Sequence, residues 1–115
     1  MSDITVYGAT GLVGQLVARY LASINAPSVT LAGRNRPVLA ALRDELNPHW
    51  DIAIAAADDA DAVERMVEGT KVLITVVGPY SLYGDHVVFA CARHGVDYVD
   101  LCGEVPFIRR SIDFH

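Results

Sequence analysis

Gly8-Ala9-Thr10-Gly11-Leu12-Val13-Gly14 carries the most specific chemistry in this 115-residue chain. The segment follows an apolar run, Ile4 to Tyr7, and opens a stretch of helical periodicity. In that setting each glycine has a physical task. Gly8 lets the chain turn sharply out of a strand. Gly11 keeps the backbone bare where a diphosphate approaches, and Gly14 lets the helix lie close to the sheet. Free amides and the dipole at the helix N-terminus then hold the anion, in a loop whose Ala9, Thr10, Leu12 and Val13 complete the cofactor-binding set. The Thr10 hydroxyl adds a donor. A tight strand-to-helix turn without ligand is the alternative.

A second group, Ala32-Gly33-Arg34-Asn35-Arg36, ends the next apolar run. About twenty residues past a dinucleotide loop, an acidic residue would bind the ribose 2′-hydroxyl of NAD. No Asp or Glu occurs between Ile4 and Asp44. Arg34 stands in that place with Arg36 nearby. A guanidinium offers forked, permanently charged donors suited to a 2′-phosphate, so the cofactor read from these residues is NADP (NADPH). Asn35 is placed both as a helix cap and at the ribose. Asp58 and Asp59 are expected to cap the next helix, with contact to adenine as the sharper alternative. Across the crevice, Val77, Gly78, Pro79 and Tyr80 would border the ribose and nicotinamide: Gly78 admits a flat ring, and Pro79 stiffens the turn. Tyr80 is read as packing against cofactor or another domain, with proton donation as the other role.

These groups need elements to hold them. Strands are expected over Ile4–Tyr7, Val29–Ala32, Asp51–Ala57, Lys71–Val77 and Val96–Leu101. Leu12, Val13, Leu16, Val17, Tyr20, Leu21 and Ile24 mark one face of a first helix. Val38, Leu39, Leu42 and Leu46 mark a second. Asp61 to Glu64 reads as a capping box before Val63, Met66 and Val67. Val87, Val88 and Cys91 outline a further helix closing at Gly95, and Pro106 begins a last one with Ile108 and Ile112. Strand–helix alternation demands parallel strands and right-handed crossovers. The expected fold is α/β, a doubly wound parallel sheet of order 3-2-1-4-5 in three layers, with its ligand crevice between strands one and four.

Composition narrows the classes. The chain is 52% hydrophobic with mean hydropathy +0.30, as a doubly covered sheet requires or as exposed partner surface would give. A net charge of −5 disfavours nucleic acid and anionic membrane as main partners. No apolar run reaches membrane-spanning length and no basic leader precedes one, so a cytoplasmic setting is expected. Cys91 and Cys102 read as buried apolar thiols, and His86 and His94 as surface histidines. Glu104 is read as a cap for the last helix. No nucleophile triad, paired acids or metal spacing stands out.

Taken with the later residues, the sequence resembles a known family. The glycine loop, Leu31-Ala32-Gly33-Arg34, and Val77-Gly78-Pro79-Tyr80 before Tyr83-Gly84 resemble saccharopine dehydrogenase-like oxidoreductases. Asp97 to Glu104, then Phe107-Ile108-Arg109, is closer still to the mycobacterial trans-acting enoyl reductases of that family. The resemblance covers almost the whole chain. It implies a Rossmann-type NADP domain over 1–115 and, in related enoyl reductases, hydride delivery to a conjugated double bond of a lipid intermediate. It implies a substrate domain beyond this segment and absent from it, hence a chain incomplete for catalysis. A free sheet edge and a last helix without its neighbour add the expectation of a homodimer or of association with the missing domain. It transfers no catalytic residue. A nonenzymatic nucleotide-binding module and a degenerate, self-associating fragment are the alternatives.

Overall fold

The computed structural model describes residues 2–56, 59–76, 87 and 90–100. Five strands, β1 (Ser2–Tyr7), β2 (Val29–Gly33), β3 (Asp51–Ile54), β4 (Thr70–Thr75) and β5 (Asp97–Asp100), form one sheet in the order β3-β2-β1-β4-β5. Every pairing is parallel. Helices α1 (Leu12–Ser23), α2 (Arg36–Leu46) and α3 (Ala60–Glu68) supply the crossovers between the first four strands. The expected order and layering are therefore observed.

The strand order reverses direction at β1, and the two halves of the crossovers consequently cover opposite faces. On one face α1 packs on β1, and α2 packs on β2 and β3. Their core is Val6, Ala18, Leu21, Leu31, Leu39, Leu42 and Trp50. On the other face α3 and the helical residues 90–94 enclose Tyr7, Val63, Met66, Val67, Leu73 and Cys91. Alternation along β1 sends Val6 to the first core and Tyr7 to the second, as the pleat requires. Two polar groups are buried with partners: Tyr7 Oη donates to the Ala55 carbonyl at 2.9 Å, and Trp50 Nε1 to the Ala26 carbonyl at 2.9 Å.

Several boundaries differ from expectation for identifiable reasons. β1 starts at Ser2 because Ser2 pairs with Thr70 of β4. β3 stops at Ile54 because its partner β2 ends opposite it, at Gly33. β4 ends at Thr75, and Val76 N–H donates to the Tyr7 carbonyl beyond it. The cap of α3 is Asp59, whose side chain accepts from Ala62 N–H, so Asp61 sits inside the first turn and forms no capping box. Asn35 caps α2 by accepting from Val38 N–H, as anticipated.

The largest correction concerns α1. Its seven apolar positions do not form one core-facing stripe. The buried positions are Gly14, Ala18 and Leu21, while Leu12, Leu16 and Tyr20 are 80%, 60% and 63% exposed. Small residues face the sheet because the glycine loop holds the helix too close for large ones.

Cys91 is buried and free, as expected, and burial pushes its thiol up to about 11, which leaves it unreactive. Glu64 on α3 is the hub of a surface cluster. It accepts from Arg93 Nε at 3.1 Å and from a second Arg93 nitrogen, and lies 2.7 Å from His94 Nε2. Arg93 above all, then His94, holds the Glu64 carboxyl down to about 2 from an ordinary 4.5. The folded value lies below the unfolded one, so the tether between α3 and residues 90–94 contributes above pH 4.5 and fades as pH falls towards 2. An NMR titration of the Glu64 carboxyl carbon is expected to give a midpoint near 2. A midpoint at the ordinary value would show that the cluster does not persist in solution. Among the described residues no helix is long and apolar enough to cross a membrane, and no group of His, Cys, Asp and Glu is arranged to hold a metal.

Candidate functional site

The candidate site lies at the carboxyl ends of β1 and β2. Gly8 leaves β1 at φ +88°, a left-handed conformation that a side chain would strain. Its N–H and that of Ala9 both donate to the Ala32 carbonyl, at 2.9 and 3.2 Å. The turn out of β1 is thereby fastened to the end of β2, two residues before Arg34. Gly11 N–H then returns to the Gly8 carbonyl at 3.1 Å, closing the loop.

Gly11 and Gly14 do different work. A Cβ on Gly14 would lie 2.1 Å from the Gly8 carbonyl oxygen and 2.8 Å from Ala9 Cα, so the bare α-carbon is what lets α1 rest on the loop. A Cβ on Gly11 would meet its nearest neighbour, the Gly8 oxygen, at an ordinary 3.5 Å. Among the described residues nothing in the packing requires glycine there. Gly11 is exposed and is the N-cap of α1, with extended backbone and no side chain to accept from the first-turn amides. The helix therefore begins with outward-facing N–H donors and the positive end of its dipole.

Ala9 is buried, Thr10 half-buried, and Leu12 and Val13 are exposed at the mouth of the loop. Arg34 is exposed directly after β2 and forms no ion pair among the described residues. Arg19 and Arg43, by contrast, are paired with Glu45 and Asp44. Among the described residues Arg34 is thus a cation without an acidic partner, just after the β2 end to which the glycine loop is fastened. Asn35 is engaged as the α2 cap through its side-chain oxygen. Asp58 and the segment Val77, Gly78, Pro79 and Tyr80 lie outside the described residues, as do Cys102, Glu104 and His86. β4 runs beside β1, and Val76 N–H donates to the Tyr7 carbonyl at 2.9 Å.

One contributor was not anticipated. Gln15 Nε2 donates to the Thr10 carbonyl at 2.9 Å, bracing the loop from inside the helix. Its signal in the sequence is that it is the one polar side chain in the first turn of α1, between Gly14 and Leu16.

Comparison with known proteins bears directly on this arrangement. The family model described as "saccharopine dehydrogenase NADP binding domain" matches residues 4–112. The chain belongs to that family. Within the family it is similar to proteins named trans-acting enoyl reductase. It is 44% identical to the one from Mycobacterium leprae and 42% identical to the one from Mycobacterium ulcerans, in each case over 98% of this chain and 28% of the relative. The chain thus spans little more than a quarter of the length of these relatives. Among solved structures, apo saccharopine dehydrogenase (L-Glu forming) from Saccharomyces cerevisiae superposes with a TM-score of 0.74 at 24% identity, covering 96% of this chain and 24% of that one. A short-chain dehydrogenase/reductase from Veillonella parvula in complex with NADP superposes at 0.72 and 18% identity, covering 87% of this chain and 47% of that one. At such identities the likeness concerns the fold. The family match gives the NADP-binding domain.

Proposed function

We propose that this chain is the cofactor-binding part of an NADP-dependent reductase related to the trans-acting enoyl reductases, with the dinucleotide held by the residues that the sequence singles out. The observation that carries the reading is Gly11. It is bare where the described residues leave space for a side chain, at the start of a helix whose amides have no side-chain cap. The diphosphate lies over Gly8 to Gly14 and accepts from the amides of Leu12 and Val13, with Ala9 and Thr10 forming the floor. Gln15 keeps that floor in shape. Arg34 takes the 2′-phosphate, and Asn35 reaches the ribose edge with the part of its amide not used in capping. Asp58, Val77, Gly78, Pro79 and Tyr80, named from the sequence alone, would complete the site at the adenine and the nicotinamide.

When bound, NADPH supplies a hydride, and the protein's task is to fix its reactive face and exclude the wrong geometry. The acceptor in this reading is a conjugated carbon–carbon double bond, held by polypeptide additional to this domain. Thermal unfolding in the presence of each cofactor tests the proposal. At a hundredfold excess over its dissociation constant NADPH would add about 2.7 kcal/mol of stability, raising Tm by roughly 10–20 °C for a domain of this size. NADH at the same concentration is expected to shift Tm far less. Equal shifts, or none from either, would overturn the assignment.

A further inference from the structure

Tyr7 is the largest fully buried side chain among the described residues, and its hydroxyl is committed to backbone two strands away. Register sets Tyr7 beside Ala32 of β2, and Ala32 beside Ala53 of β3, so the three side chains share one face. The phenol crosses that face past the small Ala32 and donates from Oη to the Ala55 carbonyl at 2.9 Å, within the core. It bridges two strand spacings, about 10 Å. A phenylalanine would fill the same core without a polar group to satisfy.

What that hydrogen bond holds lies beside the glycine loop. Ala55 N–H donates to the Gly33 carbonyl at 2.8 Å. With Tyr7 on its own carbonyl, the peptide groups on both sides of the Ala55 α-carbon are held. The Gly33 carbonyl belongs to the peptide that leads into Arg34. One residue earlier, the Ala32 carbonyl accepts from Gly8 and Ala9. The contacts thus close into a ring that runs from Tyr7 through Gly8, Ala32, Gly33 and Ala55 back to the Tyr7 hydroxyl. β3 by itself gives Ala55 little support. It is four residues long, none of them fully buried, and it is the edge strand among the described residues. Strand ends of that kind open locally at small cost.

We infer that Tyr7 is a positioning residue for cofactor choice: through Ala55 its hydroxyl fixes the Gly33–Arg34 peptide, and with it the direction in which the Arg34 side chain leaves the sheet. The inference rests on the reading of Arg34 as the partner of the 2′-phosphate. Arg34 is exposed, and ordering such a side chain on a phosphate costs conformational entropy. A fixed peptide at its base lowers that cost. The gain reaches only a ligand that engages Arg34, so NADPH benefits from the tie and NADH does not. Tyr7 itself is buried beneath the strand ends and acts through Ala55.

Tyr7→Phe in this chain tests it. The ring stays and only the oxygen goes, so Tm is expected to fall by about 5 °C. Titration calorimetry well below Tm is expected to show Kd for NADPH raised roughly fivefold, as for members of one hydrogen-bond network, with Kd for NADH unchanged. Val67→Ala, in the same core and outside the ring of contacts, is expected to lower Tm at least as far and to leave the ratio of the two Kd values as it was. In an Arg34→Ala background, Tyr7→Phe is expected to leave Kd for NADPH unchanged, because the group it positions is gone. Equal weakening of both cofactors, weakening of neither, the same loss with and without Arg34, or an equal change of ratio from Val67→Ala would overturn the inference. Arg34→Ala by itself distinguishes a failure of Tyr7 from a failure of the site. Selective loss of NADPH there, with none from Tyr7→Phe, removes the role of Tyr7 and leaves the site standing. No selective loss from Arg34→Ala removes both.

Discussion

Gly14→Ala is expected to collapse much of the domain's stability, whereas Gly11→Ala is expected to leave folding intact and remove tight NADPH binding. The contrast follows from what surrounds each α-carbon. At Gly14 an added methyl group would meet the Gly8 oxygen at 2.1 Å and the Gly8 carbonyl carbon at 2.8 Å. Both are backbone atoms, in a loop fastened to Ala32 by two hydrogen bonds, so only displacement of α1 relieves the clash. Overpacking typically costs 1–3 kcal/mol, and a rigid backbone neighbour places this case at about 3 kcal/mol. For a domain of this size that lowers Tm by roughly 12–24 °C.

At Gly11 the nearest contact is an ordinary 3.5 Å, and φ −75° with ψ 168° suits alanine. The small loss of alanine relative to glycine at an N-cap is offset by the lower entropy of its unfolded chain, each a matter of about 0.5–1 kcal/mol. Tm should thus hold to within about 4 °C. A methyl group placed between the diphosphate and the amides would lengthen several charge-assisted hydrogen bonds. The expected loss is about 2 kcal/mol or more, a 30-fold rise in Kd for NADPH. Titration calorimetry on the folded variant checks this. An unchanged Kd would mean that the loop is a structural turn only.

Arg34→Ala gives the second large effect. The guanidinium is exposed and has no acidic partner among the described residues, so its removal leaves no buried charge behind and little change in stability is expected. Loss of a charge-assisted pair with a phosphate costs about 1.5–3 kcal/mol, which raises Kd for NADPH by roughly 10- to 150-fold. NADH lacks the 2′-phosphate, and its binding is expected to stay the same. Arg34→Lys should fall between, keeping the charge and losing the fork. If both cofactors weaken equally, Arg34 serves the loop and not the phosphate.

Much of this was legible from the chain because the relevant signals are local. Gly8 and Gly14 answer to geometry within one turn of backbone, and the change from Ile4–Tyr7 to a helical pattern identifies the turn as strand to helix. The strand order follows from crossover handedness once alternation is recognised. The orientation of α1 was not legible. Leu21 is buried as its hydrophobicity suggests, but Leu12, Leu16 and Tyr20 look like core positions too, and only the close approach enforced by Gly14 shows that Ala18 takes that role. Apolar periodicity reports that a face will be covered, and it does not say by what. Likewise Asp61 and Glu64 have capping-box spacing, yet Asp59 lies where the chain enters the helix and Glu64 is drawn to Arg93 and His94, residues distant in sequence. The Gln15 brace depends on a bend at Thr10 that spacing alone does not reveal.

A crystal structure of the chain grown with NADP would locate the dinucleotide directly. Its diphosphate oxygens should sit within hydrogen-bond reach of the Leu12 and Val13 amides over a bare Gly11, with the 2′-phosphate against the Arg34 guanidinium. Density for the cofactor anywhere else, or a 2′-phosphate turned to solvent away from Arg34, would contradict the site.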